Sequence, residues 1–235
     1  MNNAKENAGM IAKGILKSVL GSFPVGATAV EIYNELQSKQ VQRKLERLEE
    51  FYSSLDERIS AVQGQINEEF VSKEDFQDVF EEATRYIVLE RQSKKRELFK
   101  NILANSITAK VCDYDKTERY FKLLDNLSEV ELNILAVLEN PEKYNKKRGM
   151  IIKDPFSSIY QSSWGEHRAD GVLTRLLNIK IDDAQGAVTV LFSNGLIVEN
   201  LLSKRIETNM NPVHVLDNLL TPRGRDFVRF LKGSE

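Results

Sequence analysis

One cysteine and two histidines in 235 residues leave little material for redox, metal or nucleophilic chemistry. Cys112 has no partner for an intrachain disulfide, which suits a reducing cytoplasm, and a lone thiol is more often packed than reactive. His167 and His214 are far apart in the chain, and acid–base work or metal binding needs a second group beside each. The serines and carboxylates form no triad and no paired-acid motif. These scarcities point away from an enzyme and imply no metal or other cofactor. Charge of one sign is also lacking. The 33 Lys/Arg against 35 Asp/Glu leave a net charge of −2, with no strongly basic half to support binding driven by counterion release from nucleic acid. Internal repeats and low-complexity segments are absent.

Near the N-terminus acidic residues are missing altogether. Residues 7–30 carry only Lys13 and Lys17 as charges, within the stretch AGMIAKGILKSVLGSFPVGATAVEIY at residues 8–33. A helix over residues 8–21 would place Ile11, Ile15, Leu16, Val19 and Leu20 on one side and Lys13, Gly14, Lys17 and Ser18 on the other. Gly9, Gly14 and Gly21 each cost about 1 kcal/mol relative to alanine, so such a helix needs a cover for its apolar face. Phe23-Pro24-Val25-Gly26 reads as a turn and residues 27–37 as a second helix, giving an apolar hairpin over residues 8–37. The uncharged run at residues 18–30 is 13 residues long, short of the ~20 that span a bilayer. Lys17, Pro24 and Gly26 also spoil a signal peptide. The spacing of residues 21–28 is that of a phosphate-binding loop, but Ala27 occupies the lysine position and no buried strand precedes it. Two readings stand: a bundle hairpin, or an interfacial amphipathic element. In the second, Ile11, Lys13, Ile15, Leu16, Lys17, Val19, Leu20 and Phe23 would contact membrane or partner, with the lysines snorkelling.

Periodicity takes over after residue 38. Val41, Leu45, Leu48, Tyr52, Leu55, Ile59, Val62 and Ile66 alternate by four and three, an a/d heptad run that predicts a helix over residues 38–70. Its seam serves either self-association or packing in an intrachain bundle. A further helix is expected over residues 73–110, apolar at Phe76, Val79, Phe80, Ala83 and Ile87. Across 90–97, ERQSKKRE, it is wholly polar, and it is apolar again from Leu98. Residues 37–100 hold 12 Lys/Arg and 14 Asp/Glu interleaved, which is a solvated helix surface rather than a basic patch. The helical region is thus expected at residues 1–112, after which residues 113–117 read as a polar break.

A second domain is expected at residues 118–235. Its helices are residues 118–124, a helix capped by Ser128 with Glu131 completing the box, residues 171–177 and residues 182–194. Strands are expected at residues 196–198 and 213–216, and Thr221-Pro222 opens a final helix over residues 223–231. The order suggests a winged-helix-like α+β module, so the fold class is mainly α with this module at the C-terminal end. The candidate recognition helix, DDAQGAVTVLFSN, carries no Lys or Arg, whereas base reading and phosphate anchoring need cationic or amide donors. Arg205, Arg223 and Arg225 remain as candidate phosphate contacts, but specific DNA is disfavoured and protein contact preferred.

The hairpin GSFPVGATAVEIYNE, the charged helix QVQRKLERLEEFYSSLDERI and the helix RELFKNILANSITAK together resemble bacterial abortive-infection-alpha proteins. YFKLLDNLSEVELNILAVL and the closing LTPRGRDFVRFL extend the resemblance, while residues 145–180 have no counterpart in it. It implies a role in phage defence and supplies no catalytic residues. The expected protein is a cytoplasmic effector, peripheral at the inner membrane face, that forms homo-oligomers and responds to a phage or host trigger protein. The alternative is a winged-helix regulator or adaptor that binds nucleic acid or a partner protein and dimerises through its N-terminal helices.

Overall fold

A computed structural model describes residues 43, 44, 46–48, 50, 51, 53–55, 57, 74–108, 113–150, 152, 168–198, 204 and 211–232. The apolar hairpin at residues 8–37 and most of the heptad run lie outside the described residues. The protein is mainly helical and divides into two compact units. One holds the described residues up to Asp125 together with Phe230, Leu231 and Lys232, and the other is Asn126–Arg229.

In the first unit every described residue between 43 and 57 is helical. It is followed by α1 (Glu74–Leu89), α2 (Ser93–Thr108) and α3 (Tyr114–Asn126). Apolar residues at i, i+3, i+4 and i+7 form the buried stripe of α1: Phe76, Val79, Phe80, Ala83 and Ile87. Phe99, Ile102, Leu103 and Ile107 do the same on α2, which packs along α1. The core contains a cluster of aromatic rings. Phe51 and Phe76 lie 6.2 Å and 6.1 Å from Phe80, Tyr86 stacks on Phe99 at 5.1 Å, and Phe121 of α3 is 6.0 Å from Phe99.

The single helix expected over residues 73–110 is two helices. The chain leaves helical geometry at Glu90-Arg91-Gln92, where the Glu90 carboxylate accepts from the Gln92 N–H at 2.7 Å. The Arg96 guanidinium donates to the carbonyls of Arg91 and Glu90 at 3.0 Å and 3.4 Å. The polar octad 90–97 satisfies a turn as readily as a helix surface. Folding back there lets both apolar stripes bury against each other, which one straight helix would not allow. Lys95, also in the octad, is buried and donates to the Asp125 carbonyl at 2.7 Å, closing the end of α3.

Residues 114–117 are not a break but the first turn of α3. Asp113 caps it, its side chain accepting from the Lys116 N–H at 3.0 Å and its carbonyl from the Thr117 hydroxyl at 3.0 Å. The division between units falls at Asp125, so α3 belongs to the first unit. The last residues of the chain belong there too. Asn101 donates to the Leu231 carbonyl at 2.9 Å, and Asn105 to those of Phe230 and Lys232 at 2.9 Å and 2.7 Å.

The second unit contains α4 (Glu129–Glu139), α5 (Pro141–Lys147), α6 (Ala169–Leu177), α7 (Ile181–Ser193), a 3-10 helix (Pro212–Leu216) and α8 (Pro222–Leu231) up to Arg229. Helices α4, α6 and α7 pack mutually around an aliphatic core. As expected, the Ser128 N–H donates to the Glu131 carboxylate at the start of α4. Thr221 caps α8, with Gly224 N–H donating to its hydroxyl at 2.9 Å and that hydroxyl donating to the Gly195 carbonyl at 2.7 Å. Pro141 opens α5 as well as ending α4. Asn140 caps it by accepting from the Lys143 N–H at 2.8 Å.

The strand expected at residues 213–216 is instead the 3-10 helix. Pro212 fixes a helical φ at its first position, and Asn211 accepts the Val213 N–H at 3.1 Å. The partner of residues 196–198 lies further on. Ile197 and Leu220 form an isolated antiparallel bridge, with hydrogen bonds from Val198 N–H to the Leu219 carbonyl and from Thr221 N–H to the Leu196 carbonyl. Among the described residues there is no extended strand.

Candidate functional site

A cleft of about 380 Å³ opens in the first unit where the helical residues between 43 and 57 meet the end of α1 and the start of α2. Phe51 and Ile87, both buried, contribute its apolar lining, and Ser53, Ser54 and Ser93 contribute hydroxyls. Three cations enter it. Arg47 donates through Nη1 to the Val88 carbonyl at 3.0 Å, Arg96 pairs through Nη2 with Glu50 at 3.3 Å, and Lys100 pairs with Glu97. The members of each pair differ in depth. The side chains of Arg96 and Lys100 are 16% and 13% exposed, whereas those of Glu50 and Glu97 are 69% and 58% exposed. The cations are therefore held inside and the carboxylates stand toward solvent.

Sequence periodicity could not locate this cleft, because none of its polar residues belongs to an apolar stripe. The available signal was the octad 90–97, which contains Ser93, Arg96 and Glu97.

A second polar cluster joins α1 to α3. Burial, and then the neighbouring Glu118 carboxylate, pushes the Glu82 carboxyl above its ordinary range. Burial and Glu82 raise the Tyr86 hydroxyl likewise, and that hydroxyl donates to Glu82 at 3.4 Å. Lys122 pairs with Glu118 at 2.7 Å, a hydrogen bond that raises its own pKa.

In the second unit the Asp170 carboxylate is buried. It accepts from the Gly171 N–H at 2.9 Å and from Gln185 of α7 at 3.3 Å, with Arg168 at 3.4 Å. It ties α6 to α7, a packing role for a buried charge with partners. No group of three or more His, Cys, Asp or Glu among the described residues is arranged to hold a metal ion.

The sequence-derived site residues separate into several groups. Ile11, Lys13, Ile15, Leu16, Lys17, Val19, Leu20 and Phe23 lie outside the described residues, as do Val41, Leu45, Tyr52, Ile59, Val62, Ile66, Arg205, Cys112 and His167. Of the heptad run, Leu48 is half-buried and Leu55 is buried within the chain. Phe51, off the a/d register, is buried beside it and meets Phe80. Arg223 and Arg225 are exposed at the start of α8, and Arg225 donates to the Leu220 carbonyl at 2.6 Å. His214 lies on the 3-10 helix rather than a strand, with Nδ1 2.8 Å from the Asp217 carboxylate. Helix α7 presents Asp182, Asp183, Thr189, Val190, Phe192 and Ser193 to solvent, and it has no Lys or Arg. Among the described residues no helix is long and apolar enough to cross a membrane. No family model, no curated protein and no solved structure matches the chain.

Proposed function

We propose that the chain is a non-enzymatic effector of antiviral defence that works through protein assembly or membrane contact. The biological role rests on the abortive-infection-alpha resemblance of its hairpin, charged helices and closing LTPRGRDFVRFL. The observation that carries the molecular role is the surface of α7. The helix following α6, where a winged helix would read DNA, exposes two carboxylates, hydroxyls, Val190 and Phe192, and offers a phosphate backbone no cation. Such a face suits protein contact. On this reading heptad residues other than Leu55, which is buried within the chain, assemble copies, and the segment at residues 8–37 engages the inner membrane face or a trigger protein. The test is twofold: growth arrest of phage-challenged cells with and without residues 1–37, and dye leakage from anionic liposomes. Loss of both on deletion is expected. A full-length chain that neither arrests growth nor permeabilises liposomes overturns the proposal.

A winged-helix regulator or adaptor is the second reading. It draws support from the antiparallel bridge between Ile197 and Leu220, which follows α7 as a wing would, and from Arg223 and Arg225 exposed just beyond it. It predicts salt-dependent retention on DNA that survives deletion of residues 1–36 and disappears in Arg205→Ala/Arg223→Ala.

A further inference from the structure

We infer that the cleft beside α2 binds a small phosphate-bearing anion. The inference rests on the placement of charge. Arg96 and Lys100 are mostly enclosed, yet their carboxylate partners Glu50 and Glu97 are mostly in water. A pair with one member solvated contributes little to stability. Arg96 commits Nη1 to the Glu90 and Arg91 carbonyls, so its Nη2 and the Lys100 ammonium are what an anion can reach, with charge-assisted hydrogen bonds replacing the weak pairs. Arg47 enters from the facing helix and commits Nη1 to the Val88 carbonyl, while its guanidinium carries further donors. Three cations from two elements line the cleft together with Ser53 and Ser93, a donor set of the kind that a phosphate group takes.

Size and rim select the ligand. A volume of about 380 Å³ is at the low end for small-molecule sites and admits a metabolite of roughly nucleotide size. The exposed Glu50, Glu57 and Glu97 repel an extended polyanion such as a nucleic-acid backbone or an anionic bilayer. A small anion can pass between them as Glu50 and Glu97 swing into solvent. Phe51 and Ile87 are only 4% and 1% exposed, so apolar recognition is minor and the charged group dominates.

Calorimetric titration of the full-length protein with pyrophosphate and with AMP, using adenosine as the uncharged control, tests this. Both phosphate compounds are expected to bind with Kd below about 1 mM, and adenosine not to bind. Lys100→Met, which keeps the apolar stem, is expected to weaken binding about tenfold. Glu97→Gln frees Lys100 from its competitor and is expected to tighten binding severalfold, a gain that a folding defect would not produce. Lys146→Met and Glu142→Gln make the same charge changes in an exposed pair of the second unit and should leave Kd within about twofold. The inference is overturned if neither phosphate compound binds, if adenosine binds as tightly as AMP, or if Lys146→Met weakens binding as much as Lys100→Met. It is equally overturned if phosphatidic acid vesicles bind where free phosphates do not.

Discussion

The two units solve the same problem with different materials. In the first, aromatic rings on long helices are set among aliphatic side chains, with Phe51, Phe76, Phe80, Phe99 and Phe121 all buried. In the second, Phe227 is the one fully buried ring among the described residues, in a core of leucines, isoleucines and valines, and the helices are short. Long amphipathic helices bring large side chains together by periodicity and need few stop signals. Short helices depend on their ends. The second unit accordingly spends Ser128, Asn140, Pro141, Asn211 and Thr221 on caps, and Asn178 and Gly195 on positive φ. Stability is expected to reside in ring packing in one unit and in chain termination and close backbone approach in the other.

The largest effect should come from the ring cluster. Phe99→Ala removes a fully buried ring stacked on Tyr86 and is expected to cost about 4 kcal/mol, against about 3 kcal/mol for Leu173→Ala in the aliphatic core. Urea denaturation followed by circular dichroism gives the totals, and hydrogen exchange assigns each loss to a unit. Equal loss of protection in both units from either variant would mean that they unfold as one, and the contrast would fail.

Backbone approach in the second unit comes next. A Cβ at Gly224 would sit 2.0 Å from the Leu196 carbonyl oxygen, where α8 starts against the chain leaving α7. Gly224→Ala is therefore expected to destabilise by about 2 kcal/mol or more, seen as a lower urea midpoint. Gly186, on the exposed face of α7 at mid-helix, has nothing within 4 Å of the same atom. Gly186→Ala should stabilise by about 1 kcal/mol, seen as a higher urea midpoint. If both substitutions shift stability in the same direction, close approach at Gly224 is not what holds α8.

The smallest effect concerns the polar contact between α1 and α3. Because burial and Glu118 raise the folded-state pKa of Glu82, its charged form is disfavoured in the folded protein. Its contribution is favourable at pH below the ordinary carboxylate range and is lost as pH rises through the raised value. Glu82→Gln should then be slightly more stable than the parent at neutral pH, by about 0.5 kcal/mol after solvent screening, with the gap closing on acidification. Thermal melts across pH would measure it, and a gap that widens toward acid would reverse the sign.

Helix positions were largely legible before the structure. The Ser128 and Thr221-Pro222 starts and the stripe Phe76, Val79, Phe80, Ala83 and Ile87 stand where local spacing puts them. The candidate cleft was legible only as a polar interruption at residues 90–97. That interruption is compatible with a helix surface, a turn or a site, and local pattern does not choose among them. The 3-10 helix at Pro212–Leu216 was misread for a related reason: a short apolar run between polar flanks has no period of its own.

By itself, then, the sequence determined the elements whose causes are local. These are caps within four residues of the groups they satisfy, apolar stripes at helical spacing, and the absence of cations along α7. Tertiary structure alone decided that the octad 90–97 folds back, that α3 joins the first unit and that Leu220 rather than residues 213–216 meets Ile197. It also set Arg96 and Lys100 inside with Glu50 and Glu97 outside. The reason is common to all four. Each depends on which distant apolar surfaces bury one another, and that burial outweighs local preference.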